Sequence, residues 1–282
     1  MVKKQQLYRN ANVLGLVVIL IFIAIAYQQT LRWMYERFIG ADSYYSHGFL
    51  VPFVSLFFIY QQLELFGQTE QTTSKTGFIV LLFALLLHIL GTILYVFSIS
   101  GFSMFFLVIG LTLFLFGFER AKVIWFPLFF LVFMFPLPMA VINLISFPLK
   151  MFAAKAGVFI VAMLGVPVYG EGFNIFIPAG HLLVGNPCSG LRSLISFLAL
   201  GSVFAYMAPL STTRKWILFL LTVPVALLSN IVRVPILIMV SHYYGLDSAA
   251  PDTFVHTGSG MLVFVFGFLL LFWAARMLEW NK

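Results

Sequence analysis

A single cysteine, Cys188, occurs in 282 residues. One thiol closes no internal disulfide and builds no cysteine-ligated zinc or iron–sulfur centre, so it serves either packing or chemistry. Charge is scarce as well: Asp, Glu, Lys and Arg together make up 9% of the chain, well below the usage of a soluble domain. Internal repeats and low-complexity tracts are missing, as are the H-E-x-x-H run of a zinc protease and the G-x-S-x-G elbow of a serine hydrolase. No metal and no cofactor is expected. What the chain has in excess is apolar surface. It is 62% hydrophobic and 18% aromatic, with 34 Phe, and its mean hydropathy is +1.06, the composition of a polytopic membrane protein. The net charge of +7 does not point to nucleic acid, because the basic residues are scattered beside apolar runs, as membrane anchoring produces.

Eight apolar runs approach the roughly 20 residues that a bilayer crossing needs. They cover approximately residues 11–30, 47–63, 77–97, 101–118, 122–140, 190–209, 215–241 and 257–278. The first follows Lys3, Lys4 and Arg9 and runs into Gln28, Gln29 and Arg32 without a small-x-small cleavage site, which reads as a retained signal anchor. The expected fold is therefore an all-α polytopic bundle of about eight transmembrane helices, a single domain over residues 1–282. With a cytoplasmic N-terminus, ten of the 16 Lys and Arg fall on the cytoplasmic side and six on the other, which satisfies the positive-inside rule and makes both termini cytoplasmic. The loops ERAK (119–122) and TTRK (212–215) carry the clearest votes.

That topology leaves one long outer segment, residues 141–189. Its first half has apolar residues at helical spacing but carries Lys150 and Lys155, as an interfacial or re-entrant helix does. The second half, VPVYGEGFNIFIPAGHLLVG, breaks Tyr, Phe, Ile and Val runs with Gly and Pro, the pattern of a small β-hairpin. The hairpin hands the chain directly to Cys188.

Three reactive side chains fall at the outer ends of the last three expected spans: Cys188, Arg233 and His256. Cys188 precedes a helix expected to start near Gly190, whose positive end favours an anion such as a thiolate. A free thiol titrates near pH ~8.5, and a helix N-terminus with a cation beside it pulls ionisation down towards neutrality. Arg233 lies inside an apolar run, where a charge costs about 3 kcal/mol on insertion scales unless it faces a partner or a water-filled cavity. Asn230 stands one turn earlier on the same face. His256 can protonate a leaving amine and then deprotonate the next nucleophile, while Arg233 and Asn230 orient a substrate carbonyl or hold an oxyanion. Arg192, one turn after Cys188, either shares the site or snorkels to the interface. Competing readings stay open on these residues alone. A free Cys also packs as a small hydrophobe, and His47, His181 and His242 fit the same topology as His256. A transporter with Arg233 as its anion site, or an accessory subunit of a polysaccharide-export complex, would carry an incidental cysteine, although a transporter usually shows paired broken helices in repeated halves.

The stretches EGFNIFIP, LLVGNPCSGLRSLISFLALG, SNIVRVPIL and FVHTGSG, together with the earlier YSHGFLVPFVSLFFIY and FPLP at 135–138, resemble the exosortase/archaeosortase family of membrane transpeptidases. The resemblance spans nearly the whole chain. It implies that Cys188 is the nucleophile, Arg233 the invariant arginine and His256 the third catalytic position, with histidine there indicating the bacterial branch. Pro187 departs from the small or apolar residue expected before the cysteine, and it touches none of the three positions. The family further implies a partner: exported proteins ending in a sorting signal of the Pro-Glu-Pro type, made of a short motif, a transmembrane helix and a basic tail. The enzyme would sit in the bacterial inner membrane with its site facing the periplasm. It would cleave through a Cys188 thioester and transfer the product to an acceptor that the residues do not name.

Overall fold

The structure, a computed structural model, describes residues 15, 17–40, 43–185, 190–250 and 253–280. Cys188 lies outside the described residues, as do Lys3, Lys4, Arg9 and Lys282 of the orientation count. The chain is a polytopic, mostly helical membrane protein with one small sheet. Among the described residues, five helices are long and apolar enough to cross a membrane: α5 (Lys75–Ile93), α6 (Phe97–Val123), α8 (Met139–Met163), α10 (Thr212–Tyr244) and α11 (Phe254–Trp280). A sixth crossing results if the pair α1 (Val17–Ala26) and α2 (Gln28–Ile39), bent by 72° around Tyr27, counts as one span.

Three of the eight expected runs form shorter or broken apolar helices, for local reasons. The run at 122–140 breaks into α7 (Trp125–Phe130), a 3-10 turn and an extended stretch to Pro138, because Pro136 and Pro138 bar a continuing helix. Residues 190–209 form the 17-residue α9 (Leu191–Met207), about 26 Å long and halted just before Pro209. The run at 47–63 folds as a 3-10 turn followed by α3 (Leu50–Gln61), with the short α4 (Leu63–Gln68) after it. Each of these runs is apolar but forms a helix of 10–17 residues.

The described chain divides into two compact units. The first comprises residues 1–39 and 53–136 and is built around the α5–α6 hairpin. Gly77, Ala84 and Gly91 recur every seven residues on α5 and are all buried, and a Cβ on Gly77 or Gly91 would run into the α6 backbone at Phe114 or Ser100. Small residues in such a stripe let membrane helices approach closely. Buried hydroxyls tie the bent pair to this hairpin: Tyr27 Oη pairs with Ser103 Oγ at 2.8 Å and Thr30 Oγ1 with Ser100 Oγ at 2.6 Å.

The second unit, residues 40–52 and 137–282, carries the candidate site. Within it the buried Tyr45 hydroxyl accepts the Leu137 N–H at 3.1 Å, and burial pushes its phenol up to about 12. Two apolar cores are stacked along α10. One joins α9, the N-terminal two-thirds of α10 and α11 through Phe197, Leu218, Ala226 and Leu271. The other joins α8, the sheet and the C-terminal third of α10 through Ala153, Val161, Ile175, Val234 and Ile238. The expected hairpin is a three-stranded antiparallel meander, β1 (Tyr169–Glu171), β2 (Asn174–Ile177) and β3 (Gly180–Leu183), in the order β1-β2-β3. Two two-residue loops make it, Gly172–Phe173 and Pro178–Ala179, with Gly172 at φ +61° as a tight hairpin loop demands. The sheet lies along α8: Phe173 sits 5.2 Å from the Phe147 ring, and Gly170 abuts Val158.

Candidate functional site

The site lies where the two cores of the second unit meet, on one turn of α10. Asn230 and Arg233 share a helical face there, and both are buried, Arg233 to 6% exposure. The Arg233 guanidinium reaches across to the first turns of α11, with Nε donating to Ser259 Oγ at 3.4 Å and Nη2 donating to the His256 carbonyl at 3.3 Å. Ser259 Oγ in turn donates to the same His256 carbonyl at 2.8 Å. A charge buried at this depth is thereby held by polar groups of a second helix.

His256 sits in the first turn of α11 and its position follows from a local device. Thr253 precedes the helix, and its hydroxyl accepts the His256 N–H at 3.2 Å, the bond that an N-cap threonine makes three residues on. The imidazole, 8% exposed, places Nδ1 3.4 Å from the Ala249 carbonyl. A carbonyl only accepts, so this contact keeps the proton on Nδ1 and makes Nε2 the basic nitrogen of the neutral ring. That is the tautomer a general base needs.

From the third side comes the start of α9. Gly190 caps this helix with φ +77° and packs directly on Asn230, whose Cγ and Nδ2 would both lie 2.8 Å from a Cβ at that position. Gly190 stands two residues after Cys188, at most about 7 Å of backbone. Arg192, in the first turn of α9, has a buried Nε. Of the residues singled out by sequence, Asn230, Arg233 and His256 are therefore brought together, with Gly190, the first described residue after the cysteine, packed on Asn230. Two positioning groups went unread, Ser259 and the Thr253 cap. The T-x-x-H spacing at 253–256 was the signal available for the cap.

A cavity of about 360 Å³ opens beside this cluster between the sheet and the C-terminal third of α10. Its wall includes His256, His181 on β3, Gly185, Val234 and Leu246. Of the other histidines weighed from sequence, His47 has its Nδ1 3.4 Å from the Ser196 hydroxyl of α9, and His242 stands at the last turn of α10 against Tyr243. Among the described residues, no group of three His, Cys, Asp or Glu is placed to hold a metal ion.

Comparison with known proteins adds one finding of weight. Searches among curated proteins and among solved structures returned no significant match. The family model of the transmembrane exosortases, by contrast, matches residues 33–273, a stretch that takes in both compact units and every side chain of the site. The chain belongs to the transmembrane exosortase family.

Proposed function

We propose that the protein is a cysteine transpeptidase that removes the C-terminal sorting signal of exported proteins at the periplasmic face of the bacterial inner membrane. The observation that supports this reading most is the convergence of Gly190, Asn230, Arg233 and His256 at one level of the bundle, immediately after the only thiol in the chain. In the proposed reaction His256 Nε2 takes the proton of the Cys188 thiol, the resulting thiolate attacks the carbonyl carbon of the scissile peptide bond, and Arg233 and Asn230 stabilise the oxyanion that forms. Collapse breaks the C–N bond and leaves a thioester on Cys188, while His256 gives a proton to the departing amine of the tail helix. The same imidazole then takes a proton from the acceptor nucleophile, whose attack releases the thiolate. Water in that role would make the enzyme a plain protease.

The placement of the sheet supports a site at the membrane surface. Free strand edges carry backbone groups that hydrocarbon cannot satisfy, so an open three-stranded sheet belongs in water or buried in protein, not against lipid. The sheet packs on Val234 and Ile238, which supports a placement with the part of α10 beyond Arg233 outside the hydrocarbon. The stretch from Thr212 to Arg233 then provides the crossing, and Arg233, Gly190 and His256 mark its outer boundary. By the same argument α8, although long enough to span, runs along the surface with Lys150 and Lys155 at the interface.

The direct test follows a tagged protein bearing a Pro-Glu-Pro type tail by immunoblot in the native host. Wild-type enzyme is expected to shorten it, and Cys188→Ala, at equal enzyme level, to leave it full length. Continued shortening with Cys188→Ala would overturn the transpeptidase reading in favour of an incidental cysteine.

A further inference from the structure

β3 leaves one edge of the sheet open, and its pairing shows which atoms face outward. Val184 N donates to Phe173 O at 2.9 Å, and the loop-closing pair is Ile177–Gly180. In an antiparallel ladder, bonded and non-bonded pairs alternate, so Gly180, Leu182 and Val184 bond to β2, whereas His181 and Leu183 direct their N–H and C=O groups away from it. Neither backbone has a partner among the described residues.

The 360 Å³ cavity borders this open edge. Residues from both faces of β3 line it, His181 and Leu183 from one and Leu182 and Val184 from the other, so the space wraps around the strand's rim. Its far wall is the turn at Leu246–Ala250 and His256, and it ends at Gly185, three residues before Cys188. We propose that this edge takes an added strand: an extended peptide that pairs with the outward N–H and C=O groups of His181 and Leu183 and places alternate side chains in the cavity. Backbone pairing holds such a peptide whatever its sequence, and the apolar cavity supplies the selectivity. The geometry brings it to Gly185 and His256 in extended form, which is how a peptide bond becomes accessible to a nucleophile. The proposal rests on the transpeptidase reading and names where that substrate's motif lies.

Leu183 offers a clean substitution. Its N–H points away from β2, so Leu183→Pro removes the outward donor while sparing the ladder, and proline is tolerated at strand edges. Processing by Leu183→Pro is expected to fall roughly tenfold below that of Leu183→Ala, the upper range for one backbone hydrogen bond. A second measurement does not depend on turnover. In a Cys188→Ala background, Leu183→Cys is oxidatively crosslinked to substrates carrying one cysteine scanned through the segment before their transmembrane helix. Crosslinks at every second position are expected, since strand side chains alternate. Equal processing by the two Leu183 variants together with crosslinks that are absent or lack the two-residue period would overturn the strand proposal. Failure of the catalytic reading looks different: shortening would persist in Cys188→Ala, whatever the crosslinks show.

Discussion

Arg233 is the residue on which the site turns, because its planar fork holds two polar groups of α11 at once. Lysine keeps the charge but not the fork. Arg233→Lys is therefore expected to lower tail removal roughly 10- to 100-fold, the worth of a charged hydrogen bond, with the protein still inserted at normal level. The immunoblot assay reads this directly, and processing within twofold of wild type would reduce Arg233 to a charge. Gly190 makes a second case. An alanine there meets both a left-handed backbone that costs about 1–2 kcal/mol and the side chain of Asn230. Gly190→Ala is expected to abolish most processing, while Gly258→Ala, where a Cβ meets nothing within 4 Å, is not. Arg233 and His256 stood out in the sequence as candidates, one as a charge in an apolar run and the other in the FVHTGSG motif. The contact of Gly190 with Asn230 was not, because it joins residues 40 apart and no local pattern encodes it.

At the scale of elements, hydropathy read the long helices α5, α6, α10 and α11 well and overran the ends of the short ones. It counts apolar residues in a window, whereas a helix ends where the backbone stops: at Pro136 and Pro138, before Pro209, and at the bend around Tyr27. The three-stranded sheet was half legible. Glycines and proline marked its turns, but a third strand as short as Tyr169–Glu171 carries too little alternation to read. The start of α11 gives the prediction proper to this scale. Thr253 caps the helix through the N–H of His256 itself, so losing the cap disturbs the turn that carries His256 as well as the helix end. Thr253→Ala is expected to cost about 1 kcal/mol of stability, seen as a lower melting temperature in detergent, and to reduce processing. Thr253→Ser, which keeps the hydroxyl, should restore both.

For the whole molecule the open matter is which parts meet lipid, and α8 decides it. Its 25 residues suffice to cross, but length alone ignores what packs against the helix. Lys150 lies over the Phe173 ring at 5.8 Å, and the meander covers the flank from Phe147 to Val158. The sheet lies along one flank of the helix, and the proposed surface placement keeps its free edges out of hydrocarbon. Both ends of α8 should therefore face the same compartment. In a Cys188→Ala background, Ala140→Cys at the start of α8 and Glu171→Cys on β1 are expected to react with a membrane-impermeant maleimide in cells whose outer membrane alone is permeabilised. Arg214→Cys and Arg276→Cys, at the other end of the bundle where Arg214 Nη1 donates to the Leu278 carbonyl at 3.1 Å, should react only after the inner membrane is opened. If Ala140→Cys instead labels with the Arg214 group while Glu171→Cys labels from outside, α8 crosses the membrane. The sheet would then stand against lipid or be covered by another protein, and the surface placement of the site would have to be abandoned.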